Sequence, residues 1–387
     1  MTSKERVLIA LQFQEPDRVP IGEYAIDFDT VEKILGHETY LRAKAKSQIA
    51  FWEGRYDEVA DSYAKDHIEL HRKLDLDIVN LSADATWYIP PPSDDPPPRK
   101  IADNTWEDKY GRVYKYSEVT ADITCVKDPV AEQTQFSVAD FTGELQKPVR
   151  NELSWKILDR TISEFANEKF ICGPSGGEIG IVLLGNGFGA GGGTMEKGLI
   201  ALIEQPEVVR AATAHLLKQQ NLADEVTIHP RQDAVLWGID FGQKSGPFIS
   251  PEMFKDFFLQ ANKDRVNHIH SRGLKVIKHS CGNNAPLLDY FVQIGYDCYQ
   301  SIQPTAGMDI CAVKRTHGDK LALWGGVAVE NLVSGTPEDV RQDVRRAMQC
   351  AKPGGGFILG SSHSIAVGSK YDNFMAMLDE HRKLADY

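Results

Sequence analysis

Cysteine is scarce, with six residues among 387, at positions 125, 172, 281, 298, 311 and 350, and none of the close spacing of a disulfide framework. That scarcity fits a reduced, cytoplasmic protein, in which Cys125, Cys298, Cys311 and Cys350 read as isolated small hydrophobes without a role. No stretch approaches the roughly 20 apolar residues that span a bilayer. The N-terminal MTSKERVLIALQFQEPDRVP is interrupted by charge too often to hold the apolar core of a signal peptide. Basic excess is missing as well: 43 Lys+Arg stand against 55 Asp+Glu, a net charge of −12, and the cations are dispersed among acids. A phosphate backbone needs a concentrated basic face, so nucleic acid is not expected as a partner, and without a spanning apolar stretch neither is a membrane. A dinucleotide fingerprint is also lacking, because the Gly-rich stretch at 173–193 has no GxGxxG leading directly into a helix.

What is present is a rhythm. Eight short β-rich runs recur: 18–24, 76–84, 169–175, 234–242, 275–282, 296–303, 321–328 and 356–363. Several are continuously apolar, as parallel strands buried on both faces are. Helix-length amphipathic stretches separate them. In one, Ser250 and Pro251 supply a cap and first-turn proline and Gly273 a stop; in another Thr336 and Pro337 start the helix and Gly354 to Gly356 end it. Eight such units predict an α/β fold, a (β/α)8 TIM barrel running as a single domain over 1–387. Residues 85–155 break the rhythm with PPPSDDPPPRK and with two strand-like halves flanking Lys109-Tyr110-Gly111, a candidate hairpin. An insertion this long after the second strand is expected to be a lid or an interface element.

Barrel enzymes carry their chemistry at the C-terminal ends of strands. The polar residues there are Glu23, Asp84, Cys172, Glu178, Asp240, His279, Cys281, Gln300, Gln303, Ser361, Ser362 and His363. His279 and Cys281 form an HxC pair where a strand runs out, and residues two apart in an extended segment point the same way, so nitrogen and sulfur can converge on one ion. Mixed N/S ligation suits Zn²⁺, which in catalytic sites takes three protein ligands and keeps a position open. His363 follows the eighth run and is the candidate third ligand. Glu178 and Asp240 are further candidates, as a fourth ligand or as the carboxylate that fixes an imidazole tautomer.

Glu15-Pro16-Asp17-Arg18-Val19-Pro20, Ile239-Asp240-Phe241-Gly242 ahead of Ile249-Ser250-Pro251-Glu252-Met253-Phe254, Lys278-His279-Ser280-Cys281-Gly282, Trp324-Gly325-Gly326 and Ser362-His363-Ser364-Ile365 follow one another along the chain. In this order they resemble the uroporphyrinogen decarboxylase superfamily. The resemblance implies a (β/α)8 barrel and one of two activities: porphyrinogen decarboxylation, or zinc-dependent methyl exchange with a corrinoid protein. Decarboxylases of the family carry an RQAGRY-like segment after the first strand; here residues 21–29 contain no arginine and three acids, Glu23, Asp27 and Asp29. A polycarboxylate substrate would meet repulsion there, which favours a neutral methyl donor.

By motif position His279, Cys281 and His363 match the zinc ligands of the methyltransferase branch, with His in place of a frequent Cys. One thiolate and two neutral imidazoles leave a net positive, more Lewis-acidic centre. The resemblance therefore implies an O-demethylase component. Zinc would polarise a methyl ether, such as a methoxylated aromatic, and the cobalt(I) of a corrinoid carried by a partner protein would take the methyl group. Glu178, Asp240 or Tyr24 would supply a proton or an orienting hydrogen bond, and Trp87, Tyr88, Trp237 and Phe241 are candidates to sandwich a ring. A homodimer is expected on the resemblance alone. A thiol-methylating enzyme using methylcobalamin and a metal-free tetrapyrrole-binding barrel are the alternatives.

Overall fold

A computed structural model describes residues 1–82, 86–133, 135–180 and 194–387. Its strands among those residues are, in chain order, β1 (Ile78–Asn80), β2 (Arg99–Ala102), β3 (Thr105–Glu107), β4 (Val113–Ser117), β5 (Asp122–Lys127), β6 (Phe170–Gly173), β7 (Ala234–Trp237), β8 (Gly242–Gln243), β9 (Gly246–Pro247), β10 (Lys275–His279), β11 (Cys298–Ser301), β12 (Ala322–Val327) and β13 (Phe357–Ser361). Seven of them form one sheet in the order β1-β6-β7-β10-β11-β12-β13, and every neighbouring pair is parallel. The first run expected as a strand, 18–24, departs from the pattern. Apart from an antiparallel bridge of Arg18 to Asp386 it makes one parallel bridge, Ile21 to Leu359, because Pro20 has no N–H to give and the Ile21 N–H is taken by a side chain, Asp77. It nevertheless fills the eighth position: Gly22 N–H donates to Leu359 O (3.0 Å), Leu359 N–H to Pro20 O (2.9 Å) and Asp77 N–H to Ile21 O (2.8 Å). The ring is closed.

Side-chain alternation sets the interior. Ile78, Phe170, Cys172, Ala234, Leu236, Ile277, Cys298, Ala322, Trp324 and Ile358 form one buried cluster, plugged by Val7 and Leu11 of the helix Ser3–Leu11. The alternate positions Val79, Ile171, Val235, Val276, Tyr299, Leu323 and Phe357 belong to the layers beneath the helices. Inward-facing Ile277 and Cys298 are each followed two residues later by a polar side chain, His279 and Gln300, and both of these are buried. Trp324 Nε1 donates to Gly22 O at 3.0 Å, and Gly325, at φ +153°, lies where a Cβ would stand 2.7 Å from Ser301 O, which is the physical content of the Trp-Gly-Gly motif.

The closing segment is held by charge. Asp77, fully buried, receives Arg6 Nη1 at 2.6 Å, Arg18 Nη2 at 3.2 Å and the Ile21 N–H at 2.9 Å, while Arg6 Nε also pairs with Asp17 at 2.7 Å. The helix caps fall as read: Ser250 Oγ accepts from Met253 N–H, and Thr336 exchanges bonds with Asp339 in a capping box.

In the insertion β3 and β4 pair around residues 108–112 as the hairpin expected, and β2 and β5 extend them to a four-stranded antiparallel sheet. That sheet lies on the helix Lys44–Trp52, where Trp52 meets Trp106 and Tyr114 with ring centroids 5.6 Å apart. One expectation is corrected: Cys311 and Cys350 are not isolated. Their helices, Ile310–His317 and Pro337–Ala351, lie side by side and join them in a disulfide with Cα atoms 5.3 Å apart. Among the described residues no helix is long and apolar enough to cross a membrane.

Candidate metal centre

His279 ends β10 on the inner face of the barrel, and its ring is fixed from two sides. Tyr24 stacks on it, with centroids 4.0 Å apart and planes 15° from parallel. Gln300 Oε1 is bonded to Nδ1, and the amide cannot turn over because Gln300 Nε2 donates to Ser361 O at 3.1 Å. Nδ1 therefore carries the proton, and the Nε2 lone pair accepts from the Cys281 thiol, with Sγ at 3.2 Å. Cys281 N–H donates to Asp240 Oδ1 at 2.7 Å, and that oxygen lies 3.9 Å from His279 Nε2. The ligand atoms of Asp240, His279 and Cys281 all lie within 4.8 Å of one another, the one such group of three among the described residues. Gly282, at φ +78°, lets this loop approach the neighbouring one, since a Cβ would stand 2.6 Å from Gly242 C.

Burial lowers His279 to about 4, so the imidazole is neutral at pH 7. Burial, and then Asp240, push the Cys281 thiol far up. A neutral imidazole with its lone pair turned to Cys281, a thiol and a carboxylate form a donor set that a divalent ion would complete, displacing the thiol proton. These residues fit zinc.

His363, the expected third ligand, stands on the same mouth after β13, its ring edge-on to His279 with centroids 6.1 Å apart and Nδ1 bonded to Ser364 Oγ at 3.0 Å. Its nitrogens stay outside the group of three. Asp240 occupies the near position instead. Glu178 is buried and engaged: Lys278 Nζ reaches it at 2.7 Å and Tyr296 Oη at 2.5 Å.

The family model for uroporphyrinogen decarboxylase (URO-D) matches residues 189–384, which span the segments carrying Asp240, His279, Cys281 and His363. The chain belongs to the URO-D family. Among curated proteins it is 29% identical over 133 residues to a methylated-thiol–coenzyme M methyltransferase of Methanosarcina mazei, a match covering 34% of this chain and 33% of that protein. The match thus spans about a third of the curated relative's length. Among solved structures, a methyltransferase from Methanosarcina mazei superposes with a TM-score of 0.65 at 16% identity, over 99% of each chain, a likeness of fold.

Where URO-D decarboxylases have arginines, the three acids of this chain are spent on structure, which corrects the expectation that they repel an anionic substrate. Glu23 is buried against Ser361, accepting from its N–H at 3.2 Å, and burial pushes its carboxyl up to about 8, so it holds its proton. Asp27 binds Arg42 through Nε at 2.7 Å and Nη2 at 2.5 Å. Asp29 accepts from Gly368 N–H at 2.8 Å. None of the three lines the cavity of about 710 Å³ over the centre; its charged walls are Arg42, Lys44, Glu178 and Asp240. Trp87 and Trp237 line it as well, whereas Phe241 is packed in a phenylalanine cluster with Phe254 and Phe258 and Tyr88 is 41% exposed outside it. Of the described insertion residues only Trp87 reaches this cavity. Asp84 and the glycines of 181–193 lie outside the described residues.

Two residues that matter here were given no role from the sequence. Gln300 stood among the strand-end residues without an assignment, and Lys278 was only the neighbour of His279. The backbone after Gln300 carries a signal that a sequence cannot display: Ser301 and Ile302 both have positive φ, +120° and +53°, at a cost of about 1–3 kcal/mol each.

Behind Tyr24 a second cavity, of about 30 Å³, is lined by Glu23, Arg42, His67, His71, Asn80 and Thr86 among others, enough room for a water molecule. Burial lowers His67 and His71 to about 3, and His381 elsewhere to about 4. Between those values and the ordinary 6.5 the unfolded chain binds protons that the folded one refuses, so stability falls as pH drops below about 6.5. Each histidine contributes a slope of about 1.4 kcal/mol per pH unit. Glu23 acts oppositely between 4.5 and about 8, and the three histidines outweigh it. Urea midpoints measured on metal-free protein at pH 7, 6 and 5 should decline, and the decline should flatten in His67→Gln. An equal slope in both proteins would remove His67 as its source.

Proposed function

We propose that this chain is a zinc-dependent methyltransferase that moves a methyl group from a small donor to a corrinoid carried by a partner protein. The observation that carries the reading is the donor set of His279, Cys281 and Asp240 at the barrel mouth, with the imidazole tautomer held by Gln300 so that Nε2 faces Cys281. The names of the Methanosarcina mazei relatives agree with its methyl transfer. Zinc, when bound, supplies a Lewis acid at the heteroatom from which the methyl group departs. Cys281 and His279 hold it, Tyr24 keeps the imidazole plane in place, and Gln300 retains the proton on Nδ1. Asp240 adds a carboxylate oxygen, as a ligand or as the acceptor that steadies the Cys281 loop, and His363 faces the donor across the cavity. Trp87 and Trp237 give that cavity aromatic walls that exclude water from a ring.

A hard carboxylate and a single thiolate suit an oxygen leaving group, so the donor is a methyl ether, with a methoxylated aromatic the best fit to the walls. A methylated thiol is the second reading, favoured by the name of the curated relative. Mixing the zinc-loaded protein with a reduced corrinoid protein and either methoxyarenes or methyl thioethers, and following methylcobalamin absorbance, decides between them. Methylation from the ethers is the expected result. Methylation from thioethers alone would select the second reading, and no spectral change with either panel would overturn the proposal.

A further inference from the structure

Beneath the donor set lies a charge cluster that touches neither cavity floor nor solvent on its lysine side. Lys278 precedes His279 on β10, so it points outward where His279 points in, and its side chain is completely buried beside the rings of Phe241 and Phe291. Its ammonium donates to Glu178 Oε2 at 2.7 Å and to Ile239 O at 2.5 Å. Glu178 Oε2 in turn accepts from Ile239 N–H at 3.3 Å, and Glu178 Oε1 accepts from Tyr296 Oη at 2.5 Å. Both backbone polar groups of Ile239 are therefore held by one ion pair. On the other side of Asp240, Phe241 N–H donates to Ser280 Oγ at 3.0 Å. Asp240 sits between these two anchors.

We propose that Lys278 and Glu178 are positioning residues, which clamp the Ile239 backbone and thereby fix the Asp240 carboxylate beside His279 and Cys281. This rests on the metal-centre reading above for its purpose, though not for its geometry. Stability is a poor reason for such a pair, since replacing a buried ion pair by uncharged residues of similar volume is often neutral or stabilising. Its location is a better one: the loop it holds carries a ligand atom, and loosened outer partners of metal ligands typically cost about 10–100-fold in affinity.

The test is the double variant Glu178→Gln/Lys278→Met, which removes both charges and keeps volume. In the metal-free protein, hydrogen exchange of peptides covering 238–242 and 279–282 should quicken while far-UV circular dichroism is retained. Co²⁺ binding, read from its thiolate charge-transfer and d–d bands, should weaken about 10–100-fold. The same changes made on Asp240→Asn should add nothing further, because the clamp acts through that carboxylate. Wild-type Co²⁺ affinity in the double variant, or a loss that adds in full to that of Asp240→Asn, would overturn the inference. Should the double variant not fold, Glu178→Asp keeps the charge pair and withdraws the carboxylate from Ile239 N–H; unchanged exchange and affinity there would overturn it equally. A parent protein that binds no Co²⁺ would sink the metal centre, and the exchange rates would then decide the clamp alone.

Discussion

A His279→Ala variant should fold, carry no zinc and transfer no methyl groups. His279 supplies the lone pair that Gln300 and Tyr24 orient, and no other imidazole nitrogen joins Cys281 and Asp240 within 4.8 Å among the described residues. Loss of an outer partner of a zinc ligand already costs about 10–100-fold in affinity, so loss of the ligand should exceed 100-fold. The fold should survive, because truncation removes a side chain from the rim above the packed interior; a cost of about 1–3 kcal/mol is expected. Metal content by atomic emission, about one ion per chain in the parent and none in the variant, is the direct measure. Full metal retention in His279→Ala would place the centre elsewhere.

Asp77→Ala should be among the most damaging single changes for stability. The carboxylate is fully buried and meets Arg6, Arg18 and the Ile21 N–H, so truncation takes the acceptor from Arg6 Nη1, Arg18 Nη2 and a backbone donor together and leaves Arg6 only its pairing with Asp17. Removing one member of a buried charged set costs about 3–5 kcal/mol. Urea unfolding should show that loss, and Asp77→Asn, which keeps an acceptor oxygen, should recover part of it. A midpoint unchanged in Asp77→Ala would mean that backbone pairing alone closes the ring.

These two residues mark where reading the chain stops. The HxC pair was legible because two-residue spacing in an extended segment is a local property, and so were the helix caps at Ser250 and Thr336. The eight runs were legible because buried parallel strands are apolar throughout. The first run has the composition of a regular strand, yet Pro20 and the Asp77 side chain limit its pairing with Leu359 to a bridge, and that side chain arrives from 56 residues away. Gln300 is an amide on an inward position, which is indistinguishable by type from any polar strand end. Lys278 and Glu178 lie 100 residues apart, and nothing local couples them. The sequence shows only the charge of the acids at 23, 27 and 29, whereas their partners Ser361, Arg42 and Gly368 decide what that charge can do. Cys311 and Cys350, 39 residues apart, meet only because two helices run side by side.

The closure of the barrel has a consequence in time. Gly22 pairs with Leu359, and the adjacent Glu23–Ser361 bond spans 338 residues of chain. At synthesis rates of about 5–20 residues per second, the N-terminal segment waits on the order of tens of seconds before its partner strand leaves the ribosome. Until then the 18–24 segment and β12 each have an open edge, and Asp77 has its arginines but no ring to close. The last strand to be made completes both the barrel and, through Ser361, the amide that orients His279.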